Sequence, residues 1–197
     1  KTPPWDQVRP TQGHHAIKNL LDMGLLEYLI SQNVDGLHAK SGIPFDKMAE
    51  LHGNMYFMKC LQCNRKMTFE EAGWNKRKYG NGYRTGPIRK GQPSCPHCGG
   101  RIISSIVNFG DPLPEDELNE AFWHSKESDV FFVIGSSLVV SPANQMPVIA
   151  KEKGAKLIIL NKGKTPCDEM ADVRFFGLIS DVLPPIMEKV KKRLEMH

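Results

Sequence analysis

Four of the five cysteines in this 197-residue sequence stand in two short pairs that could bind a metal ion. Cys60 and Cys63 form one C-x-x-C pair, Cys95 and Cys98 form the other, and 31 residues separate the two pairs. Each short turn can present two thiolates to one tetrahedral Zn²⁺ ion, and four thiolates complete its coordination. We therefore predict a structural zinc site, with two disulfides or a redox-active pair as the alternatives.

Small or amide-bearing residues follow three apolar segments of the sequence, at places where strands would end. The three groups are Gln32 and Asn33 after residues 26–30, Gly135, Ser136 and Ser137 after residues 130–134, and Asn161 after residues 157–160. Ligands bind at the carboxyl ends of the strands of a parallel sheet, where backbone N–H groups are available. Together the groups predict a nucleotide site, although each alone is also typical of a turn or a cap. The sequence has no G-x-G-x-x-G fingerprint after a strand.

The elements that would position these residues alternate between helix and strand. A helix pattern begins at Thr11 and ends at Gly24. Further helices are predicted at 114–126, from Ser141-Pro142 to about 154, and after Pro185. Strands are predicted at 26–30, 130–134 and 157–160. The last two strands are apolar enough to be buried on both faces. This order indicates an α/β fold with a doubly wound, Rossmann-like parallel sheet and a small inserted zinc-ribbon module.

Composition excludes several classes of protein. Hydrophobic residues make up 40% of the chain and charged residues 24%, which is typical of a folded globular protein. No window approaches ~18 uninterrupted apolar residues, so we expect no membrane span. We expect residues 1–5 to be neither a signal peptide nor a natural start. The net charge of +4 permits an acidic partner or nucleic acid. Paired thiols, with Cys167 as an ordinary thiol, indicate a reducing intracellular compartment, cytoplasmic or nuclear.

Six ordered motifs cover the chain from about Arg9 to Val182. They are Ser31-Gln-Asn-Val-Asp-Gly-Leu-His38, Glu50-Leu-His-Gly-Asn54, the two cysteine pairs, Val107-Asn-Phe-Gly-Asp111, Gly135-Ser-Ser-Leu138 and Leu160-Asn161. With these motifs the chain resembles the sirtuins, which are NAD-dependent protein lysine deacylases. Residues 33–55 resemble most closely the branch that contains the nuclear, chromatin-associated mammalian members. The resemblance implies NAD as co-substrate, a structural zinc ion, and an acylated-lysine protein or peptide as substrate.

The resemblance also implies the chemistry of the site. In this family the acyl-lysine oxygen attacks C1′ of the NAD ribose, nicotinamide leaves, and O-acyl-ADP-ribose forms. His52 matches the general base, a suitable role because free imidazole has a pKa of ~6.5; a histidine with only a structural hydrogen bond is the alternative. Asn33 and Asp35 match the residues that bind nicotinamide and order water, and Gln32 matches a ribose contact. A turn at Asp35-Gly36 is the alternative there.

The other cofactor residues follow from the same resemblance. The cradle for phosphate and ribose matches Gly135, Ser136 and Ser137, and the contacts to the far ribose and adenine match Asn161 and Ile179. Ser136 replaces the usual Thr, which keeps the hydroxyl group. Lys162-Gly163 stands where many relatives have an acid after Asn161, so the adenosine contacts depart from the family pattern.

Substrate binding is implied for the segment after the second cysteine pair. Val107, Phe109 and Gly110 match the strand that pairs with the substrate backbone through main-chain hydrogen bonds. Phe109 would line the acyl-lysine tunnel, with a place in the core as the alternative. Residues 74–90 are basic with interleaved aromatic residues, which fits a weak contact with nucleic acid or an acidic partner, or else a solvated loop. No membrane partner is expected.

These assignments divide the chain into a Rossmann-like NAD-binding domain at 1–54 and 105–197 and a zinc-binding module at 55–104. The family's first strand and glycine-rich phosphate loop do not occur in the 197 residues. We therefore predict a partial nucleotide domain that binds NAD poorly and is nearly inactive by itself. Two alternatives to a deacylase stay open: a catalytically impaired or truncated binding module, and a mono-ADP-ribosyltransferase on the same scaffold.

Overall fold

The computed structural model describes residues 7–196, which divide into two compact units. Unit 1 contains the chain up to Leu29, Leu37–Ala49 and the chain from Asp116 onwards; unit 2 contains Ile30–Gly36 and Glu50–Glu115. The domain boundaries at 54/55 and 104/105 stay a prediction. Residues 1–6 and 197, which that prediction includes, lie outside the described residues, and so does the prediction about residues 1–5.

Helices and strands alternate along much of the chain. The helices are α1 Gln12–Asp22, α2 Leu37–Lys40, α3 Lys76–Tyr79, α4 Glu115–Glu127, α5 Met146–Glu152 and α6 Ile179–Leu194. The strands are β1 Leu29–Ser31, β2 Met48–Glu50, β3 Phe57–Cys60, β4 Lys66–Thr68, β5 Ile102–Ser104, β6 Val130–Ile134, β7 Lys156–Asn161 and β8 Val173–Phe176. None of the helices between residues 7 and 196 combines the length and apolar composition that crossing a bilayer requires.

A parallel sheet of three strands, in the order β6-β7-β8, forms part of unit 1. Ile134 of β6 pairs with Leu160 of β7, so the two strands end at the same edge of the sheet. Helix α5 connects them and packs against both, as the crossover between parallel strands requires. This is the Rossmann-like α/β arrangement that the order of elements predicted.

The strand prediction for residues 130–134 is confirmed, but its burial on both faces is wrong. Only Val133 of β6 is buried, and Val130 is 48% exposed, because β6 is an edge strand among the described residues. The central strand β7 does bury Leu157, Ile159 and Leu160 completely. The sequence pattern did not predict β8, an edge strand whose alternation of polar and apolar residues is weak.

Helix α6 begins at Ile179, ahead of the predicted start after Pro185. Pro184 and Pro185 therefore lie inside the helix, where each removes one N–H donor. The helix continues across them because its apolar face packs on α1 in a single core. That core contains Ala16, Ile17, Ile43, Met48, Leu160, Leu183 and Met187.

Unit 2 contains the predicted zinc module, residues 55–104, with a small antiparallel sheet in the order β4-β3-β5. The core of the module combines apolar side chains with the cysteines: Met58, Cys60, Met67, Ala72, Trp74, Cys95 and Ile102 are buried together. Strands β1 and β2 form a separate two-stranded sheet. β1 starts at Leu29, so the strand predicted at 26–30 begins later than expected.

Candidate functional site

The four paired cysteines come together in unit 2 with the spacing of a tetrahedral metal site. Their Sγ atoms lie within 4.8 Å of one another, with Cys60 3.5 Å from Cys98 and Cys63 3.8 Å from Cys95. Zn–S bonds of ~2.3 Å require S–S distances of about 3.8 Å in a tetrahedron, so the donor set fits Zn²⁺. All four cysteines are free thiols, and no disulfide joins them; their assignment as the zinc ligands stays a prediction.

The turn after Cys60 prepares its thiol for a metal. Burial raises the pKa of this thiol, but the backbone N–H groups of Cys63 and Gln62 donate hydrogen bonds to Sγ and bring the pKa down to about 7. Gly100 closes the second cysteine turn, and a Cβ atom there would lie 2.9 Å from the Sγ of Cys60. Glycine at this position therefore leaves room for the four sulfur atoms.

The imidazole of His52 is held by a hydrogen bond within unit 2. Its Nδ1 lies 2.9 Å from the backbone carbonyl oxygen of Gln32. A carbonyl oxygen only accepts, so Nδ1 carries the hydrogen and the neutral ring keeps an unprotonated Nε2. The structure thus brings two predicted site residues together and fixes the tautomer that a general base needs.

Residues 31–35 form the loop that carries the other predicted residues of this unit. The N–H of Met55 donates to the carbonyl of Val34 at 2.8 Å, and the N–H of Asn33 donates to the hydroxyl oxygen of Ser31 at 3.2 Å. The side chain of Asn33 is exposed and that of Asp35 is half-buried. The sequence analysis missed Ser31 as a residue that fixes the loop; a serine at the end of a strand was its only signal.

The chain passes close to itself immediately after His52. Gly53 has a φ of +77°, and a Cβ atom there would lie 1.9 Å from the carbonyl oxygen of Ser105. The buried hydroxyl of Ser105 donates to the carbonyl of Asn54 at 2.6 Å and accepts from its N–H at 3.1 Å. These contacts fix the two ends of the zinc module beside the histidine. The sequence analysis also missed Ser105, because nothing local marks a partner 51 residues away.

The buried side chain of Glu50 stabilises the backbone around Asn54, on the other side of His52. Glu50 is 4% exposed, its Oε1 accepts from the side-chain amide of Asn54 at 2.6 Å, and its Oε2 lies 3.7 Å from the Nζ of Lys66. A buried carboxylate needs such partners to offset the loss of water. The motif Glu50-Leu-His-Gly-Asn54 therefore contains its own structural acid and amide on either side of His52.

The segment predicted to bind the peptide begins with a hydrogen bond to the backbone of His52. The N–H of Val107 donates to the His52 carbonyl at 2.9 Å. Asp111 accepts from the N–H and side-chain amide of Asn108 at 3.2 and 3.3 Å, and Gly110 has a φ of +88° within this turn. Phe109 is fully exposed, so the alternative that places it in the core is wrong. Its role in a tunnel stays a prediction.

In unit 1, the candidate cofactor residues lie at the carboxyl ends of β6 and β7. The N–H of Gly135 donates to the carbonyl of Leu160 at 2.8 Å. Gly135 has a φ of +67°, and a Cβ atom there would lie 2.7 Å from the Cδ1 of Ile179 at the start of α6. The Oγ of Ser136 accepts from the N–H of Leu138 at 3.3 Å, and Ser137 is exposed. Glycine is required here because its φ is positive and because the side chain of Ile179 occupies the space that a Cβ atom would need.

Arg174 of β8 holds the loop that carries Asn161. Its guanidinium donates to the carbonyl of Asn161 at 3.0 Å, to the carbonyl of Gly163 at 2.6 Å and to Asp168 at 2.7 Å, and it lies 3.8 Å from the centre of the Phe176 ring. The side-chain amide of Asn161 donates to the same Gly163 carbonyl at 3.1 Å. The sequence analysis missed Arg174, whose signal is a charge within an apolar strand.

Known proteins share this combination of elements. The model of the Sir2 family matches residues 1–142. The chain is 39% identical to NAD-dependent protein deacetylase 1 of Pyrobaculum aerophilum, over 95% of the chain and 68% of that protein. It is 40% identical to NAD-dependent protein deacylase 2 of Archaeoglobus fulgidus, over 94% of the chain and 68% of that protein. The similarity to a particular branch of the family stays a prediction.

Solved structures agree in fold as well as in sequence. A Sir2 structure with a p53 peptide and NAD⁺ has a TM-score of 0.76 at 34% identity and covers 96% of this chain and 73% of its own. Sir2Af2 bound to a myristoylated histone peptide has a TM-score of 0.74 at 37% identity, with 96% of this chain and 75% of its own covered. With the family model matching most of its length, the chain belongs to the Sir2 family, the sirtuins.

Proposed function

We propose that this protein is an NAD-dependent protein lysine deacylase that releases nicotinamide and forms O-acyl-ADP-ribose. Its membership of the Sir2 family supports the proposal, as do relatives named NAD-dependent protein deacetylase and deacylase. The observation that carries it is the hydrogen bond between the Nδ1 of His52 and the Gln32 carbonyl, which leaves Nε2 able to accept a proton.

His52 acts as the general base. When bound, NAD supplies a ribose whose anomeric carbon accepts the acyl oxygen and whose hydroxyl group must lose a proton. The Nε2 of His52 takes that proton, and the Gln32 carbonyl stabilises the charged ring through the hydrogen on Nδ1. The backbone contacts at Gly53 and Val107 keep the histidine in place during the proton transfer.

The remaining site residues bind and orient the co-substrate. Asn33 and Asp35 together offer the donor and acceptor that a carboxamide needs, and Asp35 orders a water molecule. Gln32 contacts a ribose. At the strand ends of unit 1, N–H and hydroxyl groups bind phosphate and ribose, and the loop after β7 contacts the far ribose and adenine; these residues are Gly135, Ser136, Ser137, Asn161 and Ile179.

The substrate is an acylated-lysine protein or peptide. Sir2 structures with an acetylated and a propionylated peptide support this class. Val107 and Gly110 pair with the peptide backbone, and the exposed Phe109 contacts the acyl-lysine.

The protein works in an intracellular, reducing compartment, cytoplasmic or nuclear, because its four zinc ligands must stay reduced. The basic residues 74–90 contact an acidic partner or nucleic acid.

The decisive experiment uses the protein extended by the family's first strand and glycine-rich phosphate loop, which the 197 residues lack, and compares it with its His52→Ala variant. Both are incubated with NAD⁺ and an acetyl-lysine peptide, and mass spectrometry follows deacetylated peptide, nicotinamide and O-acetyl-ADP-ribose. We expect the variant to lose activity by ~10²-fold or more, as removal of a general base does. His15→Ala, which alters an exposed histidine on α1, is the matched control and should keep wild-type activity.

Two outcomes would contradict the proposal. Wild-type activity in His52→Ala, with unchanged zinc content and melting temperature, would remove His52 from the mechanism. A wild-type protein that leaves the peptide acetylated, or that attaches ADP-ribose to protein instead, would favour the binding module or the ADP-ribosyltransferase.

A further inference from the structure

The zinc module, residues 55–104, is strongly positive, whereas the rest of the chain has a net negative charge. It contains ten Lys and Arg residues and two Glu residues, a net charge of +8. The rest of the chain has sixteen basic and twenty acidic residues, a net charge of −4. Zn²⁺ with four thiolates adds −2, so the loaded module remains strongly positive. Such an asymmetry directs an acidic partner to one part of the molecule.

Some of these cations border an open cleft in the surface of the module. The cleft has a volume of about 660 Å³ and is lined by residues 88–94, Gly99 and Arg101, none of them acidic. The guanidinium of Arg101 donates to the carbonyls of Arg84 and Gly86 at 3.2 and 2.7 Å. The Tyr79 hydroxyl donates to the carbonyl of Gly91 at 2.6 Å. These hydrogen bonds restrain Arg101 and Gly91, two of the lining residues, which lowers the entropy cost of ordering them when a partner binds.

Charged and apolar groups stand side by side at this cleft. Arg89 and Lys90 are exposed, and the neighbouring Ile88 is 68% exposed. The Nε of Arg101 is buried and has no hydrogen-bond partner in the described part of the chain, and no acidic residue lines the cleft to neutralise the charge of the guanidinium. A partner with several carboxylates and one apolar side chain matches both features, since the carboxylates pair with the cations while the apolar group covers Ile88.

Of the aromatic residues in the same segment only Tyr83 is exposed, at 37%, so they do not form a row of rings on which successive bases could stack. Trp74 is 6% exposed, its Nε1–H donates to the Gly80 carbonyl at 3.0 Å, and its ring packs 5.4 Å from that of Tyr79. Single-stranded nucleic acid binding depends on such stacking, and a duplex backbone has no apolar group for Ile88. We infer that the zinc module binds an acidic segment of another protein, with an apolar residue among its carboxylates, in this cleft.

The test is a binding titration of the whole protein, followed by the fluorescence anisotropy of a labelled peptide. The peptide consists of Asp and Glu residues around one central Leu, and the titration is done at physiological salt concentration. We expect Arg89→Glu/Lys90→Glu to weaken binding about tenfold or more. Lys189→Glu/Lys192→Glu on α6 is the matched control, because it changes the net charge equally outside the module; we expect a change below about twofold.

Further arms separate the apolar contact from charge and the peptide from nucleic acid. Ile88→Ala should weaken binding of the Leu peptide but not of a peptide with Gly in its place. Equal weakening by both charge-reversal variants, or tighter binding of a DNA duplex than of the peptide at the same salt concentration, would overturn the inference. Zinc content and melting temperature show that each variant is folded, and deacylation of a neutral acetyl-lysine peptide should be unchanged in all of them.

Discussion

At the scale of single residues, the backbone after His52 tolerates the least change. Gly53→Ala would place a Cβ atom 1.9 Å from the Ser105 carbonyl oxygen at a φ of +77°. Gly24 has a similar φ of +68° but open space around it, so Gly24→Ala isolates the cost of the backbone conformation. We expect Gly24→Ala to lower the free energy of unfolding by roughly 1 kcal/mol and Gly53→Ala by about 3 kcal/mol or more. Urea unfolding of both variants measures this; equal effects would contradict the close approach.

Arg174 is the residue that we expect to position the adenosine end of the co-substrate. Arg174→Ala removes its hydrogen bonds to the Asn161 and Gly163 carbonyls and so frees that loop. We expect the KM for NAD⁺ to rise roughly tenfold while kcat changes less, because the interaction acts on binding. Arg174→Lys should rescue only part of the loss, since an ammonium lacks the forked donors. Arg193→Ala, which alters an exposed residue of α6, is the control; a fall in kcat with unchanged KM would refute the assignment.

Site residues could be predicted from the sequence where their partners are close in sequence, and were missed where the partners are distant. The cysteine pairs were predictable because each turn fixes two ligands locally, and two such turns complete one tetrahedron. Ser105 and Arg174 were not, because their partners Asn54 and Asn161 lie far away in sequence and only the folded chain brings them together. The resemblance supplied His52 and Gln32 as candidates, whereas the hydrogen bond between them, and hence the tautomer, required the structure.

At the scale of elements, Asp172 joins a helix and two strands. It lies just before β8 and accepts from the Nζ of Lys151 on α5 at 2.5 Å and from the N–H of Leu157 on β7 at 2.8 Å. These hydrogen bonds, the Lys151 contact first, hold the pKa of the Asp172 carboxyl far below its usual range. The ionised carboxylate therefore stabilises the folded state above the pKa of ~3.9 of an unfolded Asp, and this stabilisation declines as the pH falls.

The corresponding variant is Asp172→Asn, which keeps an acceptor for Leu157 but loses the charge. We expect a lower melting temperature than wild type at pH 7, and a difference that shrinks steadily as the pH drops below about 4. Thermal melts across this pH range check the sign. Asp129→Asn, at an exposed position before β6, should change the melting temperature little at any pH. A difference that grows on acidification would contradict the ionised carboxylate.

Helices and strands could be predicted from the sequence where neighbouring residues determine them. α1, β6 and β7 follow from cap, apolar pattern and length, and their positions were anticipated within a few residues. α6 was misjudged because two prolines argue against a helix interior, whereas packing of Leu183 and Met187 on α1 favours one. β8 was missed because a short edge strand is defined by its pairing with β7 and only weakly by its own residues.

At the scale of the whole molecule, separate cores predict separate responses to loss of zinc. The module core contains Cys60 and Cys95, whereas the parallel sheet of unit 1 has cores without a zinc ligand. A module of this size buries too little apolar surface to stay folded without its metal. We expect about one zinc per chain, and on chelation a loss of amide-exchange protection in β3, β4 and β5 with protection retained in β7.

Hydrogen exchange followed by mass spectrometry, with and without a chelator, makes this comparison. Cys63→Ser should reproduce the effect of the chelator, and Cys167→Ser should keep both zinc and protection, because Cys167 lies in a core of unit 1. Uniform loss of protection across β3 and β7, or a zinc-free chain with two disulfides, would show that the cysteine cluster does not have this local role.

The junction between residues 52–54 and 105–107 has a consequence for how this protein can evolve. The chain leaves through Asn54 and returns through Ser105, and hydrogen bonds of 2.6 Å and 3.1 Å join these two residues. An insertion whose ends already touch can lengthen, shorten or be exchanged without displacing the chain on either side. Within the zinc module, mutation can therefore change the surface charge and the choice of partner, while Met55 and Lys66 keep their contacts with Val34 and Glu50 and the neighbouring histidine keeps its place.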